Sequence, residues 1–323
     1  MKNPSAKPGK GFTLIELLVA MAITTIIITI LVSITGLSLD TWNRSRSEIR
    51  AARQGKAMID SMSRDFESMV VRKGNSFEWL FAKFNPSTDG PNGTSSPNAA
   101  DLVFFSAATD RYNGNIGVAN RDLGGDVSTI AYQLAYKDPI AGSSDDRFKT
   151  FVLYRKIINP DVTFEKTLGI GFDPASPGTT TLLNEAQKAS ADKDTSGTAI
   201  DNESNFICEN VYQFTLTFHI EVTRADGSLA TVPVPLGGSS NATKLFKIAG
   251  SGLHMDSGIS GGTGITNVML KAGRLTSVEV SLTVITDFGL AQMRKRTFSG
   301  TDKDDFIAEN SYQFSKLIPV PGS

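Results

Sequence analysis

The clearest pattern in the chain is a long apolar stretch close to its N-terminus. No charged residue occurs from Leu17 to Leu39. A helix over Leu14 to Leu39 would reach roughly 39 Å at 1.5 Å per residue, which is enough to cross a bilayer. Glu16 stands near the start of the stretch, and an unpaired carboxylate at the centre of a membrane costs on the order of 2.5–3.5 kcal/mol. The pattern predicts a membrane-spanning helix whose Glu16 needs a partner.

The helical pattern continues beyond Leu39 with one apolar face. Apolar residues recur mostly at spacings of three and four, and charged residues fill other positions. The apolar positions are Ile49, Ala52, Ile59, Met62, Phe66 and Met69. No proline interrupts this part, so one helix is predicted from Phe12 to about Arg72. The alternative is a span and a separate helix with a break near Gly36 or Gly55, where one glycine costs about 1 kcal/mol.

Beyond residue 73 the pattern changes to that of β-strands. Apolar and polar residues alternate most clearly over Tyr212 to Val222 and over Val278 to Val284. Three shorter segments are further candidates, and the alternation in the second of them predicts a half-buried strand. They are Leu102 to Ser106, Ile130 to Tyr136 and Phe151 to Ile158. These periods predict a sheet that follows the helix.

Three segments have the composition of loops. Residues 85–100, 159–205 and 237–266 are rich in glycine, proline and small polar residues. We expect 159–205 to be largely irregular and exposed, with a short helix around Leu182 to Lys188. The predicted fold class is α+β: a long N-terminal helix, transmembrane and then amphipathic, packed on an antiparallel β-sheet head.

Composition limits the functions that the head could have. The 323 residues are 40% hydrophobic and 20% charged, which is enough for a core beyond the anchor, and the formal net charge is −1. Because basic residues are not in excess, the chain has no strong positive potential to attract the phosphate backbone of a nucleic acid. A nucleic-acid partner is therefore not expected. The single cysteine, Cys208, cannot form an intramolecular disulfide, and we expect it to be a small buried residue.

The residues that could carry catalysis or bind metals are few. His219 lies on the polar face of a predicted strand and His254 in a glycine-rich loop, and no G-x-S-x-G motif is present. The acidic groups fit no standard calcium loop. They are Asp145, Asp146, Asp302, Asp304 and Asp305. The sequence therefore predicts no enzyme, no cofactor and no metal site.

The start of the apolar stretch carries a recognisable motif. A leader with lysines and no acidic residue ends at Gly11 and is followed by Phe12-Thr13-Leu14-Ile15-Glu16-Leu17. This order resembles the prepilin signature of type IV pilins and type II secretion pseudopilins. The resemblance implies that a prepilin peptidase cuts between Gly11 and Phe12, that the amine of Phe12 is N-methylated, and that Glu16 pairs with the N-terminal amine of a neighbouring subunit. The alternatives are a plain membrane anchor and a secretory signal, which needs its small-residue cleavage site after the apolar region.

The same resemblance implies how the chain is organised. Residues 1–11 are a leader, 12–39 the transmembrane half of the helix, 40–73 its amphipathic half, and 74–323 a periplasmic head. Basic residues on both sides of the span leave the orientation open by charge alone. The family implies a single-pass protein of the bacterial inner membrane, with its leader in the cytoplasm and its head in the periplasm or in a periplasmic fibre.

The order of the later segments is similar to that of J-type minor pseudopilins of type II secretion. The segments are Arg64-Asp65, Leu102 to Ser106, Ile130 to Tyr136, Leu153-Tyr154-Arg155, Val211 to Gly227 and Val278-Glu279-Val280. The long head also resembles prepilin-like proteins from verrucomicrobial gene cassettes. These resemblances imply a structural subunit at or near a fibre tip, which initiates assembly or contacts a secreted protein.

Two other functions are compatible with the sequence. One is a minor pilin that serves adhesion, with 159–205 or 237–266 as its contact surface. The other is a membrane-anchored envelope protein of different function. The expected partners under the first interpretation are prepilin peptidase, other pilin or pseudopilin subunits through the N-terminal helix, and the inner membrane.

Overall fold

The computed structural model describes residues 11, 13–86, 89–107, 125–140, 147–176, 178–189, 199–239, 241–256, 264–298 and 301–321. Phe12, Asp145 and Asp146 lie outside these residues. The contacts within the chain divide it into two units, residues 1–48 and 49–323.

Helix α1 (Leu14–Glu67) runs for 54 residues. It passes Gly36 and Gly55 without a break, which confirms the single helix, although it ends at Glu67 and not near Arg72. In the first unit its apolar side chains are exposed. An 18-residue window has a mean hydropathy of 2.7, and α1 is the one helix among the described residues that is long and apolar enough to cross a membrane.

The second unit contains eleven strands in the part of the chain that the structure describes. They are β1 (Glu78–Phe84), β2 (Ala100–Ala107), β3 (Val127–Lys137), β4 (Thr150–Ile158), β5 (Phe206–Glu209), β6 (Val211–Thr223), β7 (Leu229–Pro235), β8 (Leu245–Ala249), β9 (Gly252–Met255), β10 (Arg274–Ile285) and β11 (Ser311–Pro319). Its short helices are α2 (Pro160–Val162), α3 (Thr181–Lys188), α4 (Asn267–Ala272), α5 (Asp287–Met293) and α6 (Asp302–Asn310). A π-helical turn, Thr163–Thr167, follows α2.

The strands form two sheets in which every pair is antiparallel. The large sheet has seven strands in the order β5-β4-β3-β2-β1-β8-β9, and the small sheet has four in the order β11-β10-β6-β7. The two sheets share one core, because Phe218 of β6 stacks on Phe246 of β8 with ring centroids 3.9 Å apart. The α+β fold with a long helix on antiparallel sheets is confirmed.

The second half of α1 packs on both sheets. Phe66 stacks on Phe104 of the large sheet with centroids 4.7 Å apart. A Cβ at Gly55 would lie 2.3 Å from the ring of Phe314 in the small sheet, so glycine is what allows the helix to approach there. The buried face contains Met62 and Phe66 as predicted, but Ile49 was wrongly included, since it is 50% exposed.

All three segments predicted as loops contribute residues to the core, 85–100 only through Ala99 and Ala100 at its end. Segment 237–266 contains β8, which is buried along its whole length, and β9. Within the described parts of 159–205, the side chains that enter the core are Val162, Phe172, Leu182, Leu183, Ala186, Ala189 and Ile200. The prediction of an irregular, exposed segment was therefore wrong for these parts, whereas the short helix is confirmed as α3.

Strand β3 also departs from its prediction. Its residues Val127 to Tyr132 are buried on both faces, so the strand is half-buried only towards Lys137. The reason is the π-helical turn, which covers the second face: Thr129 Oγ1 lies 3.1 Å from Thr163 Oγ1 and 2.6 Å from Thr167 Oγ1. The C-terminal tail, for which no element was predicted, forms α6 and the edge strand β11.

Candidate assembly site

The first turn of α1 holds Glu16 in a local hydrogen-bonded motif. Thr13 precedes the first helical residue, and its backbone N–H and its hydroxyl both donate to Glu16 Oε2 at 2.9 Å. The backbone N–H of Glu16 donates in turn to Thr13 Oγ1 at 3.3 Å. This Thr-x-x-Glu arrangement is a capping box, which satisfies backbone donors that a helix start leaves without partners. Within the single chain, Thr13 is therefore the hydrogen-bond partner of Glu16, but it supplies no opposite charge.

The residues of the predicted cleavage site lie just before this box. Gly11 is exposed, and nothing lies within 4 Å of the point where a Cβ would stand. Packing in the single chain therefore does not require glycine there. Phe12 lies outside the described residues, and cleavage, N-methylation and the assembly role of Glu16 stay predictions.

Most hydroxyl groups in and just after the apolar stretch are paired within the helix. Six Ser and Thr side chains donate to the carbonyl oxygen four residues earlier at 2.8–2.9 Å. They are Thr24, Thr25, Thr29, Ser33, Thr35 and Thr41. Because hydrocarbon offers no partners for polar groups, this pairing makes the stretch compatible with a membrane interior.

A buried polar network fixes the other end of α1 to the large sheet. Arg155 donates from Nη2 to Asp65 Oδ1 at 2.6 Å and from Nε to Asp65 Oδ2 at 2.7 Å. The hydroxyl of Tyr132 donates to the same carboxylate. Burial, followed by the charge of Asp65, raises the pKa of Tyr132 well above its ordinary value. Sequence reasoning assigned no role to these three residues, although each lies in a segment that carried the resemblance.

A second set of contacts ties α1 to the edge of the large sheet near residue 50. Arg50 Nη1 donates to Asp287 Oδ2 at 3.2 Å, and Nη2 donates to Glu209. Gln54 Nε2 donates to the same Glu209 oxygen at 3.3 Å. Asn210 supports Asp287 through an Nδ2 to Oδ1 hydrogen bond of 2.6 Å. Helix α1 is thus held by charged groups at Arg50 and at Asp65.

The two histidines do not form a common site. His219 Nε2 lies 3.7 Å from Glu279 Oε2 on the small sheet. His254 stacks on Phe172 with ring centroids 3.7 Å apart, and burial lowers its pKa. Among the described residues, no group of three or more His, Cys, Asp or Glu is placed to hold a metal ion. Cys208 is buried, as expected, and burial raises its pKa to about 12.

The comparison with protein families agrees with this geometry. Residues 7–32 match the family model described as the prokaryotic N-terminal methylation motif. No curated protein and no solved structure matches the chain. The matched segment contains Gly11, the capping box and the apolar stretch as far as Val32.

The chain therefore has a type IV prepilin-like N-terminus. This motif implies processing by prepilin peptidase, and together with the apolar helix it indicates a membrane-anchored protein of the envelope or of a pilus. Proteins of the pilin-like class are generally structural subunits and not enzymes.

Proposed function

We propose that the chain is a structural minor subunit of a fibre of the type II secretion or type IV pilus kind. Prepilin peptidase removes residues 1–11, the new N-terminal amine of Phe12 is methylated, and residues 12–39 anchor the subunit in the inner membrane. The head, residues 74–323, then lies in the periplasm. The observation that carries this proposal is the methylation-motif match over 7–32 at the start of an exposed apolar helix.

The position of Glu16 supports an assembly role. It is the one acidic residue between Leu14 and Leu39. Its carboxylate is exposed, and it accepts hydrogen bonds from the backbone N–H and the hydroxyl of Thr13. The amine of a neighbouring subunit would add a positive partner, and two charges that are each unfavourable in hydrocarbon would become one pair.

We further propose that the subunit corresponds to the J-type class and acts at or near the fibre tip, where it initiates assembly or contacts a secreted protein. The buried network supports this, because it joins three of the segments that carry the resemblance. Asp65 belongs to the first, Tyr132 to the tyrosine-rich strand, and Arg155 to the Leu-Tyr-Arg strand.

The test of the proposal is the N-terminus of the mature protein. The full chain is expressed with and without an active prepilin peptidase, and its intact mass and N-terminal sequence are measured. We expect a chain that begins at N-methylated Phe12 only when the peptidase is present. An intact leader beside active peptidase, or a cut beyond the apolar stretch, would contradict the proposal and favour a plain membrane anchor or a secreted protein.

A further inference from the structure

A cavity of about 200 Å³ lies where three segments of the second unit meet. The segments are the residues that follow α1, the β8–β9 turn at residues 250–251, and the end of α4. Lys73 comes from the first segment and Lys271 from the third, and no acidic residue is among the lining that the structure describes. Like charges around one cavity repel each other unless an anion lies between them. The cavity is therefore a candidate site for an anion.

The backbone holds the three segments close together. Gly74 N donates to Gly250 O at 3.2 Å, which ties the segment of Lys73 to the β8–β9 turn. On the other side of the turn, Gly252 has a φ of +132°, and a Cβ there would lie 2.9 Å from the carbonyl oxygen of Lys271. Glycine at position 252 thus allows α4 to approach β9 closely. The positions of the two lysines around the cavity are set by these backbone contacts.

The two lysines lack the counter-ions that other lysines have. Lys137, Lys166 and Lys316 pair with carboxylates at N–O distances of 2.9–3.2 Å. Within the part of the chain that the structure describes, Lys73 and Lys271 form neither an ion pair nor a side-chain hydrogen bond. Both side chains are exposed, so an anion can reach them. Lys271 also complements the end of its own helix, but α4 has only six residues and this role does not account for Lys73.

A serine hydroxyl adds a neutral donor to the cavity. Ser251 belongs to the lining, and its Oγ lies 3.3 Å from His254 Nε2. When His254 carries its proton on Nε2, that N–H donates to Ser251, and the hydroxyl proton remains for a ligand. Burial is the main cause that lowers the pKa of His254, and the charges of Lys271 and Lys247 lower it further. The direction of these smaller effects agrees with a positive potential beside the cavity.

We propose that this cavity, which we call the lysine pocket, binds a phosphate group through the ammonium groups of Lys73 and Lys271 and the hydroxyl of Ser251. Lysine acts on phosphate as a compact charge, whereas planar carboxylates are matched best by the fork of arginine. Pockets for drug-sized ligands have about 300–1,000 Å³, so the lysine pocket suits a single phosphate group. Its source is either inorganic phosphate or the headgroup of a phospholipid, which present the same oxygens.

The test uses the two histidines of the chain as reporters. The full chain in detergent is labelled with carbon-13 at Cε1 of histidine, and its two NMR signals are assigned with His219→Gln. Inorganic phosphate is titrated at pH 7 and compared with chloride at the same ionic strength. A short-chain phosphatidic acid is titrated in a second series. His254 reports on the lysine pocket, and His219 on the small sheet is the internal control.

Three variants test the residues of the pocket. Lys73→Met and Lys271→Met each remove one charge and keep an unbranched side chain. The matched control is Lys166→Met, because Lys166 is an exposed lysine that already pairs with Glu165 at 3.0 Å. Exposed positions tolerate such changes, and thermal unfolding checks that each variant folds. Each pocket variant should weaken phosphate binding about tenfold or more, as expected for the loss of a hydrogen bond from a charged donor.

We expect phosphate to shift the His254 signal saturably, with a dissociation constant on the order of 1 mM, and Lys166→Met to bind as the parent chain does. Phosphatidic acid that binds at least about tenfold more tightly than inorganic phosphate would identify a lipid headgroup as the ligand. Equal or weaker binding of phosphatidic acid would identify free phosphate. A response to both ligands no larger than that to chloride, or pocket variants that bind as the parent chain does, would overturn the proposal. None of these results depends on whether the leader is cleaved.

Discussion

Asp65 of the long helix and Arg155 of the large sheet form a two-point ion pair, with N–O distances of 2.6 and 2.7 Å. The side chain of Asp65 is 9% exposed and that of Arg155 is 20% exposed. Because both charges are largely removed from water, each depends on the other, and the pair sets how the end of α1 lies against β4.

We expect Asp65→Asn to lower the free energy of unfolding by about 3 kcal/mol, because the charge of Arg155 would stay buried without its counter-ion. Denaturant unfolding of the full chain in detergent measures this change. The matched control on the same helix is Asp60→Asn. Its pair with Lys316 is about half exposed, so the control should cost no more than about 0.5 kcal/mol. Equal effects of the two variants would show that the buried pair has no special role.

The buried face of α1 can be tested in the same way. Phe66 is fully buried and stacks on Phe104, whereas Ile49 is 50% exposed. We expect Phe66→Ala to cost about 3–5 kcal/mol through lost contacts and a cavity. Ile49→Ala should stay within about 0.5 kcal/mol. A large loss of stability in Ile49→Ala would show that Ile49 belongs to the buried face, as the sequence pattern predicted.

The pattern of successes and errors along the sequence has a physical explanation. Strands β6 and β10 were predicted because one face is buried and the other is partly exposed, so apolar and polar residues alternate. Strands β1 and β8 are buried on both faces over most of their length, and no alternation marks them. In β8, a charged residue, Lys247, stands among apolar ones although its side chain is buried, so the sequence does not indicate a buried strand.

The candidate site was predictable only where a local motif exists. Gly11, Phe12 and Glu16 stand within six consecutive residues, so one reading of the sequence finds them. Asp65, Tyr132 and Arg155 are separated by 67 and 23 positions, and only the pairing of β3 with β4 brings the last two together under α1. In the sequence, no local pattern links these three residues.

Lys247 should hold the segment that leads into α3 against the large sheet. Its Nζ donates to Glu78 Oε1 and to the carbonyl oxygen of Thr179, both at 2.7 Å. We expect Lys247→Met to cost about 3 kcal/mol by leaving Glu78 buried without a counter-charge. Amide hydrogen exchange should also become faster over residues 179–188. The double variant with Glu78→Gln should recover most of the stability, and a failure to recover would assign the loss to packing.

Asp101 should make the stability of the head depend on pH. Burial raises its pKa from 3.8 to about 6, against the opposing effects of Gln133, Lys83 and Asn85. The folded state therefore binds the proton more tightly than the unfolded chain. Its stabilising contribution is complete below the unfolded pKa and is lost as the pH rises through about 6.

Asp101→Asn imitates the protonated form and should remove this dependence. Between pH 4 and pH 7, the difference in unfolding free energy between the parent chain and the variant should change by about 2–3 kcal/mol, with the parent relatively more stable at the acidic end. Denaturant unfolding at several pH values measures it. Parallel curves for the two proteins would contradict a raised pKa at Asp101.

The role of Glu16 separates a fibre subunit from a plain anchor. Its carboxylate is held by Thr13 at the helix start and lies far from the core of the head in sequence. We therefore expect Glu16→Ala to leave the membrane level and the unfolding temperature of the protein unchanged, and to abolish its recovery in sheared or detergent-extracted fibres. Immunoblots of membrane and fibre fractions measure both quantities.

The control for this variant is Glu48→Ala. Glu48 lies on the same helix beyond the apolar stretch and pairs with Arg44 at the surface, with an N–O distance of 3.1 Å. Loss of such an exposed pair costs at most about 0.5 kcal/mol, so this variant should enter fibres as the parent chain does. Normal fibre recovery of Glu16→Ala would mean that the capping box serves only the helix start. Assembly without this carboxylate would show that pairing with a neighbour's amine is not required. The N-terminal segment would then be a membrane anchor without an assembly role.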